Sequence, residues 1–298
     1  LKIYQNESIT KTSEELHLSQ PAVSIQLKNF QDQFSIPLTE QVGRRIFITD
    51  FGKEIAQIAE KILNDVESIN YKTNAYKGML TGRLRFSSAS TGKYVMPFFL
   101  SGFMHKYKAI DLTIDVTNKT KVITSLENNE IDFALVSVLP EKLTVQSIEL
   151  LPNQLYFVGS EHSGYAISKV KKLNDLPLIL REPGSATRKA MEDFIMEKKI
   201  KSSKQIELTS NEAVKQAVMA GLGFSIMPLI GIKNELRNNE LEIIPIEDLP
   251  IKTAWQLIWL PSKELSPAAK AFLDYIKKEK DIISKTHFKW IDDFDSKN

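Results

Sequence analysis

One long helix with a single apolar stripe divides this chain into two unlike parts. From Thr49 to about Lys77, apolar residues recur at every third or fourth position. The stripe consists of Phe51, Ile55, Ile58, Ile62, Val66 and Ile69. Such a helix needs a partner surface, which is either its own domain or a second copy of itself. We favour a second copy, and we expect Gly78 and Gly82 to end the helix and to form a hinge at residues 79–83.

Residues 1–50 predict a winged helix-turn-helix. A polar helix capped by Thr10 is followed, after a tight turn, by a helix that starts at Ser19. Serine suits the N-cap position there, and Pro21 suits the first helical turn. A basic turn and a short strand at residues 43–48 then form the wing.

Residues 84–280 alternate between strands and helices, which predicts two α/β lobes with mostly parallel sheets and a ligand cleft between them. Two of these strands lie near residues 145–150 and 155–158. Trp255 and Trp259 lie on one face of another strand, where we expect them to pack in the core. The C-terminal tail contains charged and aromatic residues; it could dock on the body or pair with a neighbour, but we favour a frayed extension.

The expected fold class is therefore α+β with several domains. Its parts are a winged helix-turn-helix at residues 1–50, a linker helix at 51–78, a hinge at 79–83, a two-lobed α/β domain at 84–280 and a tail at 281–298. Within the two-lobed domain, we expect lobe I at about residues 84–157 and 260–280 and lobe II at about 158–259.

Composition narrows the chemistry of this chain. The 298 residues include no cysteine, which excludes disulfides, thiol catalysis and cysteine-bound zinc, and the four histidines lie at no metal-binding spacing. No Ser-His-Asp set, catalytic carboxylate pair or complete nucleotide loop is visible, so we expect no catalytic residues, no metal and no cofactor. The sequence shows neither a membrane-length apolar run nor a signal peptide, and we expect a cytoplasmic protein whose native N-terminus lies upstream of Leu1.

The segment Glu15–Ser24, which reads Glu-Leu-His-Leu-Ser-Gln-Pro-Ala-Val-Ser, resembles the DNA-binding signature of LysR-type transcriptional regulators. Residues 8–11 and 43–52 fit the same family, and so does the order of parts along the chain. The resemblance implies a regulator that binds operator DNA and is switched by a small molecule in a periplasmic-binding-protein-like domain. It also implies a homodimer through the linker helix, a homotetramer and contact with RNA polymerase. The alternative is a small-molecule-binding protein or enzyme on a two-lobed scaffold, without a DNA function.

Short polar side chains at the leading end of the second helix are suited to reading base edges in the major groove. Gln20 can pair with adenine through two hydrogen bonds, and Lys28 can reach a phosphate or remain a solvated charge. The net charge of the whole chain is only +2, so DNA affinity must come from individually placed contacts. Ile25 stands where many relatives carry Arg, and we expect one direct contact to be lost there. The candidate DNA-binding residues are Thr10, Ser19, Gln20, Pro21, Ser24, Lys28, Arg44 and Arg45.

Segments of the α/β part are similar to the LysR subgroup that controls Calvin-cycle (RuBisCO) operons, which implies a phosphorylated or acidic metabolite as effector. The segments are residues 90–94, Pro97 and residues 181–188, 210–223 and 265–269. Independently, hydroxyl residues at two helix starts that face each other across a cleft would hold an anion. Each hydroxyl could also be a helix cap alone, and Arg188 could be an exposed residue of a first turn. The candidate effector-binding residues are Ser88, Ser90, Thr91, Lys93, Ser185, Thr187, Arg188 and Asn211.

Overall fold

The computed structural model describes residues 1–43, 45–76, 79–165, 173–202 and 204–295. These residues form two compact units, Leu1–Met79 and Leu80–Asn298. Among the described residues, no helix has both the length and the apolar character that a membrane span requires. The predictions made for Arg44, Lys77 and Gly78 lie outside the described residues.

The first unit is a winged helix-turn-helix followed by a long helix, as predicted. Its elements are α1 (Lys2–Asn6), α2 (Ile9–Glu15), α3 (Gln20–Gln31), β1 (Thr39–Val42), β2 (Arg45–Ile48) and α4 (Asp50–Tyr76). Strands β1 and β2 pair antiparallel and form the wing. Ser8, and not Thr10, caps α2, because the Ser8 hydroxyl accepts a hydrogen bond from the Lys11 N–H and Thr10 lies inside the helix.

The small core of the first unit depends on close backbone contacts. Val23, Leu38 and Ala56 are its buried apolar residues among those described. A Cβ atom on Gly52 would lie 2.0 Å from the Leu38 carbonyl oxygen, so only glycine lets α4 start this close to the backbone of the residue before β1. The core is therefore built around the start of α4.

The second unit combines helices and strands in a two-lobed α/β arrangement, as predicted. Its strands are β3 (Gly82–Ala89), β4 (Ile110–Thr117), β5 (Phe133–Val136), β6 (Gln146–Gly159), β7 (Pro177–Arg181), β8 (Lys204–Leu208), β9 (Ser225–Pro228), β10 (Glu242–Ile243) and β11 (Ile251–Trp259). Its helices are α5 (Met96–Lys106), α6 (Lys119–Glu127), α7 (Ala186–Glu197), α8 (Asn211–Met219), α9 (Lys233–Arg237) and α10 (Pro267–Asp295), with a 3-10 turn at Ser90–Tyr94. Gly82 and Arg83, expected in the hinge, already belong to β3.

The main sheet is mixed, and the prediction of mostly parallel sheets is wrong for it. Its order is β10-β6-β11-β5-β3-β4, and β9 also pairs with β6. Strands β3, β4 and β5 run parallel, whereas every pair that includes β6 or β11 is antiparallel. A separate parallel pair, β7 and β8, lies in lobe II. The sheet is mixed because β6 carries the chain from lobe I into lobe II and β11 brings it back.

Two expectations about these connecting strands are corrected. The strands expected at residues 145–150 and 155–158 are one continuous strand, β6. Strand β11, expected wholly in lobe II, pairs with β5 of lobe I over residues 256–258 and with β6 along its whole length. A register shift between Trp255 and Gln256 interrupts this pairing near its middle. Trp255 and Trp259 are both buried, as expected for core residues.

The last helix continues through most of the predicted tail, so the expectation of a frayed extension is wrong for residues 281–295. We call these residues the α10 extension. Ile283, Phe288 and Ile291 of the extension are buried. The Phe288 ring contacts the rings of Phe98 and Phe99 on α5, at centroid distances of 5.2 and 5.9 Å.

The end of the α10 extension lies on lobe II. The Phe294 ring packs edge-on against Tyr156, with the centroids 5.9 Å apart, and Tyr156 lies in the end of β6 that pairs with β9 of lobe II. The ammonium of Lys233, on α9, lies 4.3 Å from the centre of the Trp290 ring. Since Phe288 contacts lobe I, the extension spans both lobes.

Candidate DNA-reading helix and interlobe cleft

The leading end of α3 is open to solvent. Ser19 caps the helix, and its hydroxyl accepts a hydrogen bond from the Ala22 N–H at 3.4 Å. The preceding turn is held by a hydrogen bond from the Leu18 N–H to the Ser13 carbonyl and by His17 in the left-handed region. Ser19, Gln20 and Pro21 are exposed. The first turn of α3 is therefore available for contact with a duplex.

The other predicted DNA-binding residues are distributed around this helix. Ser24 is half-buried and Lys28 is exposed on α3. Thr10 is exposed on α2, and Arg45 is exposed at the start of β2 in the wing. Arg44 lies outside the described residues. The exposed members include both polar groups and cations, which are the groups that contact bases and phosphates.

Thr12 and Ser13 are buried where α2 packs against its neighbours. The Ser13 hydroxyl donates to the Thr10 carbonyl at 2.7 Å, and the Thr12 hydroxyl donates to the Lys2 carbonyl at 3.3 Å. Both buried hydroxyls thus have partners, which removes most of the cost of burying them. These two polar residues are consistent with a well-packed helix-turn-helix.

The linker helix α4 exposes its apolar stripe. Ile58, Ile62, Val66 and Ile69 have between 54% and 63% of their surface exposed. An uninterrupted row of large exposed aliphatic side chains marks an interaction surface. Together with the helical spacing of the row, this exposure fits a helix that pairs with another helix.

Arg181, which is not among the predicted effector-binding residues, joins the two lobes. This residue ends β7 in lobe II and only 4% of it is exposed. One guanidinium nitrogen, Nη1, donates to the Ser90 hydroxyl in lobe I at 2.9 Å. The other two nitrogens, Nε and Nη2, donate to the Glu182 carboxylate at 2.8 and 2.9 Å. The guanidinium is therefore a buried cation that contacts both lobes.

Two helix N-termini from different lobes meet beside this contact. Asn118 caps α6 in lobe I, and Ser185 caps α7 in lobe II. The Thr120 N–H donates to the Gly184 carbonyl at 3.3 Å, so the two helix starts touch. Gly184 has a φ of 87°, and a Cβ atom there would lie 2.8 Å from the Thr120 hydroxyl oxygen. Glycine at this position thus permits the close approach of the lobes.

A groove of about 1070 Å³ opens between α6 and α7. Its lining includes the helix starts, the 138–143 loop and residues 250–252. Lys119 lies at the groove and donates to the Leu139 carbonyl at 3.2 Å. Burial lowers the pKa of Lys119, because the charged ammonium is poorly solvated there. An anion in the groove would offset that loss of solvation.

The predicted effector residues do not all face this groove. Ser185 and Arg188 line it, but Arg188 is already bound to Glu192, Glu207 and the Arg181 carbonyl. The carboxylates of Glu207 and Glu192 raise the pKa of Arg188. Ser90 does not line the groove and bonds to Arg181 instead, and Thr187 is half-buried. Arg188 therefore holds α7 against β7 and β8.

Ser88 and Thr91 are buried inside lobe I. The Ser88 hydroxyl donates to the Ala89 carbonyl at 3.1 Å, and a Cβ atom on Gly92 would lie 2.1 Å from that hydroxyl oxygen. Thr91 is 6% exposed. Ser88 lies near the end of β3 and Thr91 lies in the 3-10 turn, and both side chains face the protein interior.

Lys93 and Asn211 belong to a second contact between the lobes, centred on Tyr94. The Tyr94 hydroxyl, in lobe I, donates to Glu212 on α8 at 3.0 Å, and the Lys93 ammonium lies 3.8 Å from the same carboxylate. Lys215 pairs with Glu212 at 2.9 Å and with Glu235 at 2.6 Å. Asn211 is buried beside this Tyr94 network, at the start of α8.

Burial and charge shift the pKa values of the Tyr94 network. Burial, and then the nearby Glu212 carboxylate, raise the pKa of Tyr94 to about 12. Burial alone would lower the pKa of Lys215, but its bonds to Glu212 and Glu235 outweigh that effect and raise it. Burial likewise favours a neutral Glu212, but hydrogen bonds from Lys215 and Tyr94 lower its pKa overall. The network is therefore charged and intact at neutral pH.

The sequence contains a partial signal for Arg181 and none for the contact between Tyr94 and Glu212. Arg181 lies at a strand end directly before the Glu-Pro-Gly turn, which is where ligand-binding residues of α/β sheets occur. The distance along the chain from Tyr94 to Glu212 hides their contact. Among the described residues, no group of three or more side chains is arranged to hold a metal ion.

Two family models match the chain and together cover most of it. Residues 1–53 match the model described as "Bacterial regulatory helix-turn-helix protein, lysR family". Residues 77–281 match the model described as "LysR substrate binding domain". Each model falls largely on one of the two units, and the second ends at the beginning of the α10 extension.

Similar proteins extend over nearly the whole chain. The HTH-type transcriptional activator CmpR of Synechocystis sp. is 34% identical over 285 residues, which cover 95% of this chain and 94% of that protein. The RuBisCO operon transcriptional regulator of Allochromatium vinosum is 33% identical over 280 residues, which cover 93% of each. The regulatory domain of Synechocystis PCC6803 CcmR in complex with 2-PG is 33% identical, with a TM-score of 0.61, over 66% of this chain and 96% of that one.

Proposed function

Because this chain belongs to the LysR family of transcriptional regulators, we propose that its binding to operator DNA is switched by a small anionic metabolite held between the two lobes. The similar proteins carry the names of regulators and not of enzymes. They include a RuBisCO operon regulator, which confirms the subgroup resemblance noted in the sequence. The α3 helix and the wing supply the DNA contacts, and the cleft supplies the switch.

The interlobe position of Arg181 is the observation that carries the proposed switch. The buried guanidinium bonds the Ser90 hydroxyl and the Glu182 carboxylate, and in this proposal the phosphate or carboxylate group of the effector takes the place of the Glu182 carboxylate. The N-termini of α6 and α7 add two positive dipole ends at the same place. An anion bound there contacts both lobes, so its affinity depends on how the lobes are arranged. Such a difference in affinity is what allows a ligand to shift a conformational equilibrium.

The regulatory domain of CcmR, a relative of this chain, is bound to 2-PG, or 2-phosphoglycolate. This molecule is a small acid with one phosphate and one carboxylate, and both groups suit Arg181 and the helix N-termini. We therefore assign the effector to the class of small phosphorylated acids. Lys119, Ser90 and Ser185 are its further contacts in this proposal.

The apolar stripe of α4 supports a homodimer through the linker helix, and a homotetramer is built from two such dimers. Paired copies place two α3 helices on one operator, which strengthens binding because the second contact is made within the same complex. The neutral charge balance of residues 1–53 makes such pairing important. The regulator acts on chromosomal DNA in the cytoplasm, and contact with RNA polymerase transmits its effect on transcription.

The effector part of the proposal is tested by thermal unfolding of the full chain with 2-phosphoglycolate, and with phosphate and glycolate as controls. A ligand at one hundred times its Kd stabilises the folded state by about 2.7 kcal/mol. We expect saturable stabilisation by 2-phosphoglycolate that Ser90→Ala weakens at least several-fold in affinity. Ser101→Ala, an exposed serine on α5, is the matched control and should behave as the wild type. Equal stabilisation of all three proteins would place the ligand elsewhere.

The DNA part is tested by comparing Gln20→Ala with the wild type on a selected operator and on random DNA at fixed salt concentration. Losing a base contact should weaken operator binding by about 1–3 kcal/mol and random-DNA binding by much less. Equal losses on both DNAs would show that Gln20 does not read bases. Failure of the wild type to prefer any sequence would reject the operator-binding proposal.

A further inference from the structure

A large apolar side chain stands exposed at the centre of the outward face of α3. Ile25 has 58% of its surface exposed, whereas Val23, two residues earlier, has 4%. At about 100° per residue, positions 23 and 25 are separated by about 200° around the helix. Ile25 therefore points almost directly away from the core that holds Val23.

The neighbours of Ile25 on that face are exposed as well. Pro21 lies one helical turn before it, and Lys28 and Asn29 lie about one turn after it. Pro21 and Ile25 together make an apolar strip along the first two turns. Lys28 is a cation that can contact a backbone phosphate beside the same strip.

The chemistry of the strip restricts which base it can recognise. Isoleucine has no hydrogen-bond donor or acceptor, so it cannot read guanine, adenine or cytosine by the polar groups on their edges. In the major groove, the apolar group that a base presents is the C5-methyl of thymine. An aliphatic side chain pressed against any other base edge would cover a polar group without satisfying it.

We infer that Ile25 contacts the C5-methyl group of a thymine and selects an A·T pair at one position of each operator half-site. The inference rests on the proposed function, since it requires α3 to lie in the major groove. The sequence alone indicates only that a direct Arg contact is lost at position 25. The inference adds that Ile25 itself contributes a sequence preference through an apolar contact. The occupant of this exposed strip is thus the operator itself and not a second protein.

The test removes a single methyl group from the DNA. The full-length protein is first used to select its preferred sequence from a random pool, and each thymine is then replaced in turn by deoxyuridine. The wild type should lose about threefold to tenfold in affinity at one thymine per half-site, as expected for one apolar contact of a methyl group. Ile25→Ala should bind the unmodified operator more weakly and should show no further loss at that thymine.

Two variants make the result specific. Ile25→Val keeps an apolar group and should retain most of the sensitivity to deoxyuridine. Ile36→Ala removes a similarly exposed isoleucine, 52% exposed and outside α3, and should retain all of it. Selective DNA binding with no deoxyuridine effect, or with the same effect in Ile25→Ala, would overturn the inference and leave the proposed function intact. Absence of any selected sequence would overturn both.

Discussion

At the residue scale, Tyr94 links protonation to the contact between the lobes. Its hydroxyl donates to Glu212, and its pKa is raised to about 12, so the folded protein holds the Tyr94 proton at pH values where the unfolded chain has lost it. The stabilisation is complete below pH 10, the usual pKa of tyrosine, and is lost as the pH rises toward 12.

We predict that Tyr94→Phe flattens the alkaline loss of stability. A shift of two pKa units corresponds to about 2.7 kcal/mol, and the partial exposure of Tyr94 reduces this to about 1 kcal/mol. Urea unfolding at pH 9, 10 and 11 checks this difference in the wild type and the variant. Tyr165→Phe, which removes a more exposed hydroxyl, is the control. Parallel pH curves for the wild type and Tyr94→Phe would contradict the prediction.

Residue-level prediction from the sequence was best where a side chain acts on its own local backbone. Ser19 and Ser185 were recognised because an N-cap needs only its own helix. Arg181 is not predictable in this way, because its role depends on a hydrogen bond to Ser90, which is distant from it along the chain. The sequence does not show that Ser88 is buried, because its burial depends on the close packing of Gly92 against its hydroxyl. Contacts between distant segments are set by tertiary packing, which one sequence does not display.

At the scale of the element, the correction from Thr10 to Ser8 is testable by capping. We predict that Ser8→Ala lowers the free energy of unfolding by about 1 kcal/mol, because it leaves an N–H at the start of α2 without its partner. Thr10→Ala, in the same helix, should change it by less than about 0.5 kcal/mol. Chemical denaturation, monitored by a probe in the first unit, measures both. A larger loss for Thr10→Ala would restore Thr10 as the cap.

The exposed stripe of α4 gives a second element-scale prediction. Ile62→Asp places a charge inside the proposed helix pair and should convert dimers to monomers at micromolar concentration, as measured by sedimentation velocity. Gln57→Asp introduces the same charge at an exposed position off the stripe and should leave the dimer intact. Dimerisation of Ile62→Asp with unchanged affinity would show that the copies associate through another surface.

Element type was largely predictable, but strand direction was not. The apolar period identified α4, and helix-strand alternation identified the two-lobed unit, because both depend on local pattern. That same alternation predicted mostly parallel sheets, whereas β11 pairs antiparallel with β6 along the whole of β11. Their pairing joins residues about one hundred positions apart, and no local signal encodes it. The sequence predicts a frayed tail because it does not show the surface, on α5 and elsewhere in the second unit, against which the apolar residues of the tail pack.

At the scale of the whole molecule, the α10 extension restrains the two lobes of the second unit. We predict that Trp290→Ala combined with Phe294→Ala loosens them, because both rings contact lobe II while the helix stays anchored on lobe I. Each substitution should cost about 2 kcal/mol, less than for a fully buried ring.

The absence of native cysteine makes this measurement simple. Spin labels at Glu127→Cys on α6 and Glu197→Cys on α7, both at the groove, report the distance between the lobes by pulsed electron resonance. Dilution with unlabelled protein limits signals from neighbouring copies. The double variant should broaden the distance distribution, and Lys289→Ala, exposed on the same helix, should not. Identical distributions would show that the extension does not restrain the lobes.

Strands β6 and β11 have a consequence for how such a regulator comes apart. The two strands are hydrogen-bonded to each other and pass through both lobes. Each lobe alone would therefore lack some of the backbone hydrogen bonds of its strands. Cutting the gene between the lobes would yield two fragments with unpaired strand edges, each prone to aggregation. The second unit should therefore unfold in one cooperative transition. Recombination between regulators should preserve its fold only when the whole unit is exchanged.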